Sequence, residues 1–362
     1  MDPLNRRSFL ARAAGLAALP VLTPAARLFA EDTPAPAGPE RKSLVTDKQL
    51  EATRKGLEWL AKNMSGKGKA APWGQSAPVA VTALAGCAFM ADGHLPGRGK
   101  YGDQLKRAIE YVLGCSAKNR KGYLADPQDG QSRMHGHGFA TMFLAEAFGM
   151  MMLNDEMANK MRQAIEKAVD VIEYSQTTLG GWGYMPEPTY DEGSITVAEV
   201  MALRSCRNAG FKVEKKVINK GIDYLKKSAN SDGSFKYSLQ GGGGGGTVAL
   251  TAGAVASMQL FGEYEAKEVK KGLEFLKKNK GQVKQGGGGW GHFFYSALYA
   301  TMAAYFAGGS LWEEWFPPFR DELVKSQRPD GSWAGEFDNA YCTAYGVLTL
   351  AVPYQYLPIF QV

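Results

Sequence analysis

Residues 134–149 read MHGHGFATMFLAEAFG, with His135 and His137 one residue apart at the start of an apolar stretch. Imidazole can ligate a metal, move a proton near neutral pH or recognise a polar head group, and the chain has only 4 histidines. On a helix the two side chains lie about 200° apart, and on a strand they point to opposite faces. They do not share one metal ion. Glu146 is about two and a half helical turns from His137, so that pair does not meet either. One histidine can face an interior, and the other then serves as a polar residue where a helix starts. Asp191, His292 and Asp338 occupy comparable places, just before or at the start of other apolar stretches. Glu146 and Glu199 lie inside such stretches, where a carboxylate needs a partner or a wet lumen. Arg204 is a candidate partner for Glu199. Tyr184, Tyr295 and Tyr341 would add aromatic walls, with Trp182, Trp290, Tyr299 and Trp333 beside them. His137, Asp191 and Asp338 are the candidates for proton transfer. No metal site and no cofactor is expected.

The elements that must position these residues are repeated. KGLEWL at 55–60 returns as RAIEYV at 107–112, KAVDVI at 167–172, KGIDYL at 220–225 and KGLEFL at 271–276, with a divergent FRDELV at 319–324. Around each copy apolar residues recur at helical spacing among lysines and acids, which predicts amphipathic helices. A glycine-rich break follows, mostly with an aromatic, as in GGWGY at 180–184 and DGSWAG at 330–335. Then comes a stretch rich in Ala, Thr, Met and aromatics and almost free of lysine, near 78–91, 135–152, 194–209, 247–261, 293–307 and 339–352. A helix with so little charge is covered on most sides. The expectation is an all-α domain of six helical hairpins over residues 46–362, with apolar helices in an inner ring and amphipathic ones outside. An open helical stack is the alternative, but it would wet one side of the apolar helices. Equivalent positions of a closed ring converge on one rim, so the polar candidates should gather at one mouth.

The rest of the composition bounds function. The net charge of +6 comes partly from Arg6, Arg7, Arg12 and Arg27, and no dense basic stripe follows, which argues against nucleic-acid binding. Residues 1–30 pair a basic start with a short Ala/Leu-rich run, the layout of an export signal. Arg6-Arg7 before Ser8-Phe9-Leu10 resembles the twin-arginine type, which implies a periplasmic or extracellular protein. Residues 31–45 read as a Pro/Ala/Gly linker. No later stretch is long and apolar enough for a membrane span. Cys87, Cys115, Cys206 and Cys342 match no zinc spacing and read as buried thiols. The glycine runs at 241–246 and 286–289 lack the Lys-Ser/Thr of a phosphate loop and read as turns, the first a candidate lid.

QRPDGSW at 327–333 and QTTLGGW at 176–182 share the arrangement Gln-x-x-x-Gly-x-Trp. These segments resemble the QW motifs of squalene–hopene cyclases. The chain from about residue 46 onward resembles the prenyltransferase/squalene oxidase repeat proteins, whose fold is an α/α-toroid. YQYLPIFQV at the end and the stretch around His135 are similar to an exported bacterial branch of that family. The resemblance implies the fold more firmly than any reaction. The Asp-x-Asp-Asp acid of the cyclases is missing, since no two aspartates are adjacent. Asp-Asp-x-x-Asp is also missing. Asp338 and Cys342 have the wrong spacing for the zinc pair of protein prenyltransferases, and the Cys-Gly-Glu-Gln of thioester toroids is absent. Three functions follow as expectations. The first is binding of a hydrophobic, isoprenoid-like small molecule in the ring. The others are a cyclase-like reaction with an atypical acid, and a carbohydrate-active barrel using paired carboxylates.

Overall fold

The computed structural model describes residues 44–361, apart from 67, 76, 119–121, 131–132, 152–154, 242–244, 285–291 and 336. The segment read as an export signal, most of that read as a linker, and Trp290 lie outside the described residues. Among them are 12 α-helices and no named strand, only isolated bridges such as Trp182 with Glu192. Six helices carry the amphipathic pattern: α1 (Asp47–Lys62), α3 (Gly102–Lys118), α5 (Asp155–Ser175), α7 (Lys215–Ser228), α9 (Lys267–Asn279) and α11 (Gly309–Ser326). The other six alternate with them: α2 (Pro78–Ala91), α4 (Arg133–Met150), α6 (Gly193–Asn208), α8 (Val248–Leu260), α10 (Phe293–Ala307) and α12 (Asn339–Ala351). The apolar set is buried nearly end to end; every residue of α2 and of α8 is buried.

The apolar helices form a closed inner ring, each packing on the next and α12 returning to α2. They run parallel. Gly136 at the start of α4 lies beside Val79 and Ala80 at the start of α2, and Gly193 opens α6 against Leu250 of α8. The inner N-termini therefore meet at one mouth.

The hairpins are grouped differently from the sequence repeat. Each outer helix packs mainly against the inner helix that precedes it, and α1 packs against α12 at the far end of the chain. The repeat residues explain the joint. Trp182 donates its indole N–H to the carbonyl of Ile172 at 2.7 Å, and Trp333 donates to that of Leu323 at 2.8 Å. Their backbone N–H groups bond to Thr196 and Thr343 of the inner helices. Both indoles are fully buried. They clamp the two rings and do not line a site. In two of the repeats the glycine at the second position makes room for them: a β-carbon on Gly221 would lie 3.2 Å from Trp182, and one on Gly56 2.9 Å from Trp333.

At the opposite end the C-terminal tail folds against the ring. Leu357, Ile359 and Phe360 are buried, and the turn Pro358–Phe360 packs on α6. No helix among the described residues is long and apolar enough to cross a membrane. The four cysteines are buried and unbridged.

Candidate functional site at the mouth of the inner ring

Helix α4 separates the two histidines. His137 is turned outward against α5, where its Nδ1 accepts from the Leu124 amide at 3.0 Å and its Nε2–H donates to the Ala168 carbonyl at 3.1 Å. Both ring nitrogens are used by backbone, and burial pushes its pKa down to about 4. The expectation that His137 is a candidate for proton transfer is therefore corrected: the side chain is a neutral strut between the rings. Helical geometry then turns His135 to the interior face. His135 is half-buried, stacks 6.0 Å from Phe139, and has its Nε2 3.0 Å from the hydroxyl of Ser194. Its pKa is also drawn down to about 4, by burial and by the nearby His292. That electrostatic coupling brings α4 and α10 to one opening.

The carboxylates near the mouth are engaged. Glu192 caps α6: it accepts from the backbone of Ser194 and Ile195 and from the Ser194 hydroxyl at 2.5 Å. Asp338 caps α12 through the Tyr341 amide at 2.7 Å and also accepts from the Gln75 amide. Asp191 is fully buried and accepts from the Tyr224 hydroxyl at 2.6 Å and from the amides of Leu239 and Gln240. It ties down the segment after α7. Asp191 and Asp338 are thus at the expected end of the ring, yet their oxygens hold backbone.

Two other acids lie elsewhere. Glu146 sits at the far end of α4, where it accepts from the Ile359 amide of the tail at 3.3 Å. Glu199 is wholly buried, and neither oxygen has a hydrogen-bond partner among the described residues. Burial raises its pKa well above the usual carboxylate range, which favours the neutral acid. It influences Tyr123, which packs on the outward-turned His137.

Aromatic rings remain at the opening. Phe337 stacks 6.2 Å from His292 and 4.8 Å from Tyr341. Tyr341 is 4.6 Å from Tyr345, Tyr345 is 6.4 Å from Tyr295, and Tyr295 is 4.4 Å from Tyr299. This column runs from an exposed rim, with Phe337 54% accessible, to a buried interior, with Tyr299 at 1%. On the other side of the mouth Tyr184 lies 6.3 Å from His135 and stacks on Tyr190, and its hydroxyl bonds to that of Tyr237. The structure thus brings together His135, Tyr184, His292, Tyr295 and Tyr341. Sequence reasoning missed Phe139, Tyr190, Ser194, Tyr237, Phe337 and Tyr345. Phe139 is four residues after His135, a signal that could have placed both on one face. Among the described residues no group of three His, Cys, Asp or Glu side chains could hold a metal ion.

With two rings, parallel inner helices and a shared mouth, the architecture is complete. The chain is an α/α-toroid. No protein-family profile and no curated protein matches its sequence. Solved structures match its fold. The type II terpene cyclase MstE from Scytonema, in its apo form, is 14% identical with a TM-score of 0.55, covering 86% of this chain and 100% of that one. A variant of MstE in complex with its substrate geranylgeranyl dihydroxybenzoate is 14% identical, with a TM-score of 0.54 and coverage of 84% and 97%. An inactive variant of the α-1,6-mannanase GH76A of Salegentibacter sp. HEL1_6, bound to α-1,6-mannotetrose, is 11% identical, with a TM-score of 0.62 and coverage of 84% and 98%. At such identities the likeness is one of fold, and toroids of this shape serve unrelated chemistries.

Proposed function

We propose that this toroid binds an apolar, isoprenoid-like molecule in the interior of its inner ring, entering at the mouth formed by the inner-helix N-termini. The observation that carries the reading is the aromatic column from Phe337 through Tyr341 and Tyr345 to Tyr295 and Tyr299, continuous from rim to interior. Aromatic faces give a long hydrocarbon large contact area at little conformational cost. The acids at the mouth support binding over reaction. A cyclase needs a carboxylic acid free to protonate an alkene, and a glycosidase needs two carboxyl groups flanking the bond. Asp191, Glu192 and Asp338 instead spend their oxygens on backbone amides. The family suggested by the QW motifs, the prenyltransferase/squalene oxidase repeat proteins, is consistent with this reading. So is an isoprenoid-bearing substrate in a protein of the same fold. If residues 1–30 act as the twin-arginine type of export signal that they resemble, this binding takes place in the periplasm or outside the cell.

The test is fluorescence of N-phenyl-1-naphthylamine, an apolar probe, with purified protein. Saturable enhancement, reversed by the C20 isoprenoid alcohol phytol and weakened by Tyr341→Ala, is the expected result. Absence of enhancement or of displacement overturns the reading. A rise in melting temperature with mannotetraose or xylobiose, and none with phytol, would point to carbohydrate instead.

A further inference from the structure

The hydroxyl of Tyr295 is buried and has no hydrogen-bond partner among the described residues. Its direction is fixed. The ring is held 4.4 Å from Tyr299 and 6.4 Å from Tyr345, and the hydroxyl reaches across from α10 to α8 above Gly253. A β-carbon on Gly253 would lie 2.9 Å from that oxygen and 3.0 Å from Val197 of α6. Phenylalanine would fill the same volume with no donor to satisfy, so the hydroxyl contributes nothing to packing that the bare ring would not. Burial keeps the phenol protonated and therefore able to donate. The Glu192 carboxylate is near enough to be felt, but its oxygens are held by Ser194 and Ile195. An unpaired buried donor is a standing cost that a ligand acceptor removes. Tyr295 is the third residue of α10, one turn beneath His292 at the rim. The acceptor would thus sit just inside the mouth, with the apolar remainder running along Tyr299 and Tyr345.

We infer that the ligand is an oxygenated isoprenoid, not a plain hydrocarbon, and that Tyr295 donates a hydrogen bond to its oxygen just inside the mouth. This rests on the reading that the interior takes an apolar ligand, and the experiment separates the two. Phytol and the C20 hydrocarbon phytane are compared as displacers of N-phenyl-1-naphthylamine from wild type and from Tyr295→Phe. Phytol should bind wild type more tightly than phytane. Tyr295→Phe should weaken phytol by roughly 5- to 10-fold, the worth of one hydrogen bond, and leave phytane unchanged. The ligand-free variant should melt no lower than wild type, since an unsatisfied group has been removed. Equal displacement by both compounds, or equal weakening of both in Tyr295→Phe, overturns the oxygen contact while the apolar reading stands. Displacement by neither overturns both.

Discussion

The side-chain amide of Gln327 donates to the backbone carbonyl of Ala52 at 2.8 Å, across 275 residues of sequence. The same nitrogen donates to the Gly331 carbonyl at 2.9 Å. Gln176 repeats the arrangement within the chain, donating to the Gly180 and Val217 carbonyls. Each QW glutamine therefore ties its own glycine turn to the next outer helix. For Gln327 the next outer helix is α1, so the bond closes the ring. Gln327→Ala should lower stability by about 1–3 kcal/mol, because two carbonyls lose their donor. Urea unfolding should stay a single transition at a lower midpoint. Removing residues 316–362 takes away α12, the main partner of α1, and should unfold the whole domain. A five-hairpin fragment with native helical circular dichroism would contradict closure.

Glycines inside the outer helices should divide into two kinds. Replacing a helix-interior glycine by alanine ordinarily stabilises by up to about 1 kcal/mol. At Gly114 of α3 an added β-carbon meets nothing within 4 Å, so Gly114→Ala should raise the melting temperature. At Gly56 the same atom would lie 2.7 Å from Val347 and 2.9 Å from Trp333. Overpacking of that kind costs about 1–3 kcal/mol and outweighs propensity. Gly56→Ala should therefore melt lower than wild type. Equal shifts at the two positions would remove the clamp account.

Much of this was legible in the sequence because the period was long and the two helix types differ in charge. The charge-poor stretches 78–91 and 293–307 reappear as α2 and α10 with the same bounds. The hairpin grouping was not legible, because a repeat has no intrinsic start. KGLEWL followed by an apolar helix reads as one unit, while packing pairs α1 with α12. The candidate site was half legible. Position along the chain put His135, His137, Asp191 and Asp338 at one end of the ring. The direction of each side chain depends on which helix face meets the outer ring, and Leu124 and Ala168, which hold His137, are 13 and 31 residues away. Glu199 and Tyr295 were singled out by type, but their unpaired state is visible only in three dimensions.

The export reading of residues 1–30 gives a prediction of its own. If Arg6 and Arg7 direct twin-arginine transport, changing both to lysine should leave full-length precursor in the cytoplasm, read by immunoblot of cell fractions. Normal export of the double variant would rule out that route.

Glu199 predicts an unusual pH dependence. Its folded pKa lies above the unfolded value, so between those two values the folded state binds more protons. Stability from this group is fully present below the unfolded pKa and falls as pH rises toward the folded one. Glu199→Gln removes the titration while keeping the shape. The variant should gain relative to wild type as pH increases from about 4.5, the ordinary carboxylate range. A gain that is the same at pH 5 and pH 8 would show that the carboxyl is not held neutral.

Substitutions at the two histidines should have divergent outcomes. His137→Ala leaves the Leu124 amide and the Ala168 carbonyl without their partner and opens a void between the rings. Each of those losses costs on the order of 1–3 kcal/mol, so the variant should melt several degrees lower. Probe binding by whatever stays folded should be unchanged. His135→Ala removes a half-buried ring from the interior face and should melt within a degree or two of wild type while weakening displacement by phytol. The pH behaviour follows from the same geometry. The folded pKa of His137 is pushed down to about 4, below the unfolded value, so the unfolded chain binds more protons between them. That contribution is present above the unfolded pKa and is lost as pH falls toward 4, on the order of 3 kcal/mol in all. Urea midpoints of wild type should therefore drop between pH 6.5 and pH 4, and the drop should be smaller in His137→Ala. An equal drop in both proteins would mean that the strut is not the group that titrates.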